Sequence, residues 1–254
     1  MITNDRKKMF NIHIDNVTMQ EAIERIDMLA KDRSKNSYVV TPNVDHIVKV
    51  QSDKEFYKIY KEADLVLADG VPVIWASKLL KKTIKEKVSG SDLFPLLCEY
   101  AASKNYRVFL LGGLEGVADK AAKILKEQYP NLNIVGTYCP PFGFESNEEE
   151  NNKIIKILKK AKPDILFVGV GAPKQEKWIY NNRSSYNIPV SLGIGASFDF
   201  IAGTVKRAPF WMQKSGLEWF YRLIKEPKRM FKRYIIDDTV FFKLVLEEML
   251  KKNN

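Results

Sequence analysis

The sequence predicts an α/β fold: a mostly parallel sheet flanked by helices, followed by a basic amphipathic helical appendage at the C-terminus. Three observations predict it. Between residues 10 and 205, short apolar runs alternate with stretches of helical period. The apolar runs stop at Gly, Pro or Asp-Gly, as strands do where they turn into helices. From Lys206 onward the composition becomes basic and aromatic.

Phe10 to Asp15 alternates apolar and polar residues, a strand-like period of two. Thr18-Met-Gln-Glu21 is a capping box, and Ala22, Ile23 and Ile26 mark the inward face of the helix it starts. Tyr38 to Val40 is the second strand, stopped by Thr41-Pro42-Asn43. A helix carrying Ile47, Val48 and Val50 follows, then one from Asp53 to Ala63. Leu65 to Ala68 is the third strand, ending at Asp69-Gly70, and Pro72 opens the next helix. After the lysines of residues 78 to 87, Ser91 or Asp92 is expected to cap a helix running to Ser103.

The second half repeats this rhythm. Strands are expected at Arg107 to Leu111, Asn133 to Gly136, Ile165 to Val168 and Pro189 to Ile194, with helices at Val117 to Tyr129 and after Glu148. Buried parallel strands with helices between them define a doubly covered, Rossmann-like sheet. Ligands of such sheets bind beyond the carboxyl ends of the strands. That rule collects Thr41, Asn43, Asp69, Gly112, Gly113, Gly169, Gly171 and Gly195 as candidate site residues.

The most informative stretch is Asp164 to Trp178. A buried strand ends at Gly169-Val-Gly171, and a helix starts near Pro173. Its N-terminus points backbone N–H groups at the turn and so attracts phosphate, with Lys174 and Gln175 expected at the mouth. Asp69, a carboxylate beside a glycine at a strand end, is the candidate general base for a sugar hydroxyl. Asp-Gly is also ordinary turn chemistry, Asn43 also reads as a helix cap, and His46 reads as a packed or capping residue.

Several chemistries are excluded. Gly169-Val-Gly171 lacks the third glycine of a dinucleotide fingerprint, and no acidic residue follows at the ribose distance. There is no phosphate-loop Gly-Lys-Ser/Thr, no Gly-x-Ser-x-Gly elbow and no Asp-x-Asp pair. No metal and no cofactor is therefore expected. Cys98 and Cys139 are expected to be reduced and buried. The N-terminus does not read as a signal peptide, and no segment approaches the roughly 20 apolar residues of a membrane span.

The net charge is +10, from 41 Lys and Arg against 31 Asp and Glu, which calls for an anionic partner. Residues 206–254 hold 12 Lys and Arg against 6 Asp and Glu and so supply +6 of that charge. Leu217, Phe220, Tyr221 and Ile224 align on one helical face, and Phe242, Val245, Leu246 and Met249 on another beyond a cap at Asp237 or Asp238. Residues 1–205 are thus expected to form the catalytic core and residues 206–254 an appendage that touches an anionic membrane surface. Two other classes fit the charge: a nucleic-acid-binding protein and a nucleotide-binding module without turnover.

Five blocks carry a resemblance that spans about residues 10 to 235. They are Thr41-Pro-Asn43, Ala68-Asp-Gly-Val-Pro72, Leu110-Leu-Gly-Gly113, Gly169-Val-Gly-Ala-Pro-Lys-Gln-Glu-Lys-Trp178 and Gly193-Ile-Gly-Ala-Ser-Phe-Asp-Phe200. In that order they resemble the WecG/TagA/CpsF family of glycosyltransferases, most of all its N-acetylmannosamine transferases of wall teichoic acid synthesis. The resemblance implies an inverting transfer from UDP-N-acetylmannosamine to N-acetylglucosamine on undecaprenyl diphosphate, forming a β-1,4 linkage. It implies a cytoplasmic protein, peripheral on the inner face of the membrane, that binds no nucleic acid; the oligomeric state is left open, the apolar faces of the tail offering a surface for a homo-oligomer when off the membrane. It makes Asp69 the base. Thr41, Asn43, Gly112, Gly113, Gly169, Gly171, Lys174, Gln175 and Asp199 become substrate-binding residues, and Arg222, Arg229 and Arg233 face the leaving group and lipid.

Overall fold

The structure is a computed structural model and describes residues 5–215, 217–225 and 238–251. Its centre is a six-stranded sheet in which every neighbouring pair is parallel. The chain enters through an antiparallel hairpin of β1 (Arg6–Met9) and β2 (Ile12–Asp15), then α1 (Met19–Lys31). The first run of the sheet is β3 (Ser37–Val40), α2 (Val44–Ser52), α3 (Lys54–Glu62), β4 (Leu65–Val66), α4 (Val71–Leu79) and α5 (Gly90–Ser103). The second is β5 (Arg107–Gly112), α6 (Val117–Gln128), β6 (Asn133–Tyr138), α7 (Glu148–Ala161), β7 (Ile165–Gly169), α8 (Lys174–Tyr186), β8 (Val190–Gly193) and α9 (Ser197–Ala202). The strands lie side by side in the order β4-β3-β8-β7-β5-β6.

Successive strand residues feed opposite cores, as a sheet buried on both faces requires. Val108 and Leu110 of β5, with Ile165 and Phe167 of β7, face the core under α1, α5 and α6. Phe109, Leu111, Leu166 and Val168 face the other, which also holds Phe56, Ile59, Trp178 and Ile179. On the first face Phe94 of α5 meets Phe167 and Phe198 edge-on, with ring centres 4.8 and 5.4 Å apart.

Local details follow the sequence in most places. The Thr18–Glu21 capping box forms, and Asn43 and Asp53 cap α2 and α3. Other expectations need correction. Phe10 to Asp15 is not one strand: Phe10 and Asn11 take positive φ (52° and 65°) and form the hairpin turn, so the polar stretch before them pairs as β1. The hairpin closes the sheet's β4 edge, because Asp15 accepts from the Val66 N–H at 2.9 Å while paired with Arg6 and Arg25. Ser89, not Ser91 or Asp92, caps α5, since its hydroxyl meets the Asp92 N–H. Cys98 is buried, but Cys139 is only half-buried, on the loop after β6.

After residue 205 come α10 (Phe210–Lys214), α11 (Glu218–Lys225) and α12 (Asp238–Lys251). Arg207 ties the start of this segment to the core through ion pairs with Asp92 (2.6 Å) and Glu218 (3.4 Å). Phe220 and Ile224 of the expected α11 face are exposed. In α12 the inward residues are Phe241 and Val245, while Phe242 and Leu246 of the expected apolar face are exposed. The face rotates because Phe241 packs on Phe10 (5.2 Å between ring centres) and Glu248 accepts from the Phe10 N–H and the Lys82 ammonium, both at 2.7 Å. Among the described residues no helix is long and apolar enough to cross a membrane.

Candidate active site at the carboxyl rim of the sheet

Because all six strands are parallel, their carboxyl ends share one rim, and the candidate residues gather there. The turns after β5, β7 and β8 touch backbone to backbone. A methyl group on Gly112 would sit 2.5 Å from the Gly169 carbonyl oxygen, and one on Gly169 would sit 2.9 Å from the Gly195 carbonyl oxygen and 2.8 Å from the Phe198 ring. The Gly113 N–H donates to the Gly169 carbonyl at 2.9 Å, which joins two of the turns directly. Gly112 also holds φ at +120°, a region that side chains disfavour. Gly171 and Gly195 are different: a methyl group on either would meet nothing within 4 Å, so these two peptides border open space. Gly112 and Gly169 are therefore needed for packing, while Gly171 and Gly195 leave backbone accessible at the rim.

The opposite half of the rim is built from side chains. The Asp69 N–H donates to the Pro42 carbonyl at 3.0 Å, and the Val88 N–H donates to the Ala68 carbonyl at 2.8 Å, fixing the turn that carries Asp69 beside Thr41-Pro42-Asn43. Asp69 is half-buried at this turn, immediately before α4, and Thr41 is buried in the neighbouring turn between β3 and α2. Asn43 accepts from the His46 N–H at 3.2 Å as the cap of α2. Behind it lies the buried His46–Tyr60 pair, with the Tyr60 hydroxyl 2.8 Å from His46 Nδ1. Burial pushes the Tyr60 phenol well above its ordinary pKa, and the carboxylates of Glu176, Asp69 and Asp45 push it further. Three acidic side chains thus converge electrostatically on one buried hydroxyl.

The turn between β7 and α8 places its side chains differently from the expectation of an open mouth. The Ala172–Pro173 peptide is cis, and the helix begins at Lys174. Lys174 reaches sideways to Glu145 at 2.6 Å and lies 4.4 Å from the centre of the Phe142 ring. That pairing holds the Glu145 carboxyl below its usual range. Phe142 itself is 99% exposed, on a loop anchored to the rim where the Cys139 thiol donates to the Gly113 carbonyl. Gln175 points inward and is only 2% exposed; its Oε1 accepts from the Gly195 N–H at 3.0 Å and its Nε2 donates to Glu176 at 2.7 Å. Asp199 is half-buried in the first turn of α9 and accepts from the Thr204 hydroxyl at 3.1 Å.

The structure thus brings Thr41, Asn43, Asp69, Gly112, Gly113, Gly169, Gly171, Lys174, Gln175 and Asp199 to one rim. The Arg222 side chain lies outside the described residues, as do Arg229 and Arg233. The N-termini of α2, α4, α5, α6, α8 and α9 all open on this rim, so their dipoles make it attractive to anions. Among the described residues no group of three His, Cys, Asp or Glu side chains is placed to hold a metal ion. Sequence reasoning missed Glu176, Asp45 and Tyr60. The helical period offered a signal: Asp45 and Glu176 each stand early in a helix, on the face turned toward the sheet.

The described family of matching sequences is the glycosyl transferase WecG/TagA/CpsF family, whose model covers residues 7–254. A relative from Bacillus subtilis (strain 168), named N-acetylglucosaminyldiphosphoundecaprenol N-acetyl-beta-D-mannosaminyltransferase, is 31% identical over 242 residues, covering 95% of this chain and 92% of the relative. A relative of the same name from Staphylococcus aureus (strain MW2) is 31% identical over 223 residues, covering 87% and 85%. A rim of glycine turns and helix N-termini with a carboxylate at its edge is therefore found in a chain that belongs to the WecG/TagA/CpsF family of glycosyltransferases.

Proposed function

We propose that this chain transfers N-acetylmannosamine from UDP-N-acetylmannosamine to N-acetylglucosamine on undecaprenyl diphosphate, in the linkage unit of wall teichoic acid. The observation that carries the reading is the named activity of relatives that align over nearly the whole chain, with Asp69 standing at the rim where a parallel sheet binds its ligands. In the reaction the acceptor hydroxyl oxygen bonds to the donor's anomeric carbon. The bond from that carbon to the diphosphate breaks, and its electron pair leaves with UDP. The hydroxyl proton passes to the Asp69 carboxylate. The attacking and leaving oxygens lie on opposite faces of the sugar, so the configuration inverts.

The departing diphosphate needs positive potential as its charge develops. The helix N-termini offer it from the core, and Arg222, Arg229 and Arg233 offer it from the basic segment. In this reading residues 206–254 meet the anionic surface that carries the lipid acceptor, on the inner face of the cytoplasmic membrane. Incubation with UDP-N-acetylmannosamine and a short-chain lipid acceptor tests the proposal. UDP should be released only when both are present, and no release with this donor or related UDP-hexosamines would refute it.

A further inference from the structure

Glu176 is the least explained polar group at the rim. It is 1% exposed, and its Oε2 is buried with no hydrogen-bond partner among the described residues. A buried carboxyl with one oxygen unsatisfied is costly, so the contact made by its other oxygen is the one to explain. That contact is specific. Glu176 Oε1 receives the Gln175 Nε2–H at 2.7 Å, and Gln175 Oε1 receives the Gly195 N–H at 3.0 Å. The Gln175 amide is therefore held at both ends and has one permitted orientation. It lies flat on β8, since a methyl group on Gly193 would come within 2.8 Å of Gln175 Nε2. This chain of contacts runs from the first turn of α8 to the turn after β8, and Gly195 is one of the two rim peptides bordered by open space.

We infer that Glu176 is a positioning residue: by fixing the Gln175 amide it holds the Gly195 peptide at the rim in the arrangement the donor diphosphate meets. Both the neutral and the ionised carboxyl accept at Oε1. Burial pushes its pKa up to about 7, partly opposed by its bond from Gln175, with Asp45 adding to the rise and Lys49 subtracting from it. A neutral acceptor on the Gln175 side is all the arrangement needs, so glutamine should replace it and an apolar side chain should not.

The inference rests on the transferase reading for its kinetic consequence, and on geometry alone for its structural one, so two readouts separate them. Glu176→Met keeps the volume and removes the acceptor. It should leave the thermal midpoint unchanged or raised, speed amide hydrogen exchange at Gly195, and lower kcat/KM for UDP-N-acetylmannosamine by about tenfold to a hundredfold. Glu176→Gln should match the parent in both exchange and turnover. Gln175→Ala should show the same two losses, and adding Glu176→Met to it should cost nothing further, because the two residues act through one contact. The inference is overturned if Glu176→Met behaves like Glu176→Gln, if the losses of the two single variants multiply, or if Glu176→Met fails to fold. If the parent chain releases no UDP the transferase reading falls, and exchange at Gly195 still decides whether Glu176 holds the turn.

Discussion

The two halves of the rim are made of different material. The β5–β7–β8 half is backbone against backbone, with Gly112 set against Gly169 and Gly169 against the Gly195 carbonyl too closely for a side chain on either Gly112 or Gly169. The β3–β4 half is side chains: Asp69, Asn43 and the buried His46–Tyr60 pair. The first half fixes a shape that tolerates almost no substitution. The second half carries the ionisable and hydrogen-bonding side chains of the rim. Such a division suits a transferase that must hold a diphosphate in one place and remove a proton in another.

The largest expected effect tests the side-chain half. Asp69→Asn should reduce transfer by about 10²- to 10⁴-fold, the range for loss of a general base, while calorimetric UDP binding and the thermal midpoint stay at parent values. Activity near the parent level would remove Asp69 from the chemistry. Next comes the basic segment: replacing Arg222, Arg229 and Arg233 together by alanine, which leaves the buried Phe241 and Val245 of α12 in place, should lower transfer to a lipid acceptor by about tenfold or more. Unchanged rates would confine the reaction to the core. On the backbone half, Gly112→Ala should destabilise the fold by about 2–5 kcal/mol in urea unfolding, combining a left-handed φ with overpacking. Gly171→Ala meets only the first of these and should lose about 1–2 kcal/mol. Equal losses would contradict the assignment of one glycine to packing and the other to open space.

The smallest effect concerns pH. Burial raises the Asp92 carboxyl, but Lys87, Ser89 and Arg207 outweigh it and hold the pKa at about 2, below the ordinary 3.8. A depressed carboxyl adds stability above its unfolded pKa and loses it as pH falls through the folded one. Asp92→Asn should therefore flatten the stability curve between about pH 4 and pH 2. Glu176 runs the other way. Its raised pKa favours the folded state below about 4.5 and loses that advantage as pH climbs through about 7, so Glu176→Gln should flatten that limb.

Much of this architecture was legible beforehand because it depends on short-range pattern. Runs such as Ile165 to Val168 are too short and too apolar for a surface helix, and the Thr18–Glu21 box announces its own hydrogen bonds. The rule that parallel sheets bind at their carboxyl ends then placed the candidate rim without any coordinates. What stayed illegible depends on contacts between distant segments. Nothing local distinguishes a packing glycine such as Gly112 from an open one such as Gly171, because the difference lies in the neighbouring turn. Gln175 looked like a residue of the mouth, yet the partner that turns it inward is Gly195, twenty residues on. That Phe241 turns inward was illegible for the same reason, since Phe10 and Lys82 meet α12 from the far end of the chain.

The bond between the Phe10 N–H and Glu248 joins positions 238 residues apart. During synthesis at roughly 5–20 residues per second, the hairpin leaves the ribosome roughly 10 to 50 seconds before the helix that shelters it. For that interval the aromatic ring at its tip is an uncovered sticky spot on a nascent chain. A chaperone that shields early hairpins would cover that ring until the last helix arrives.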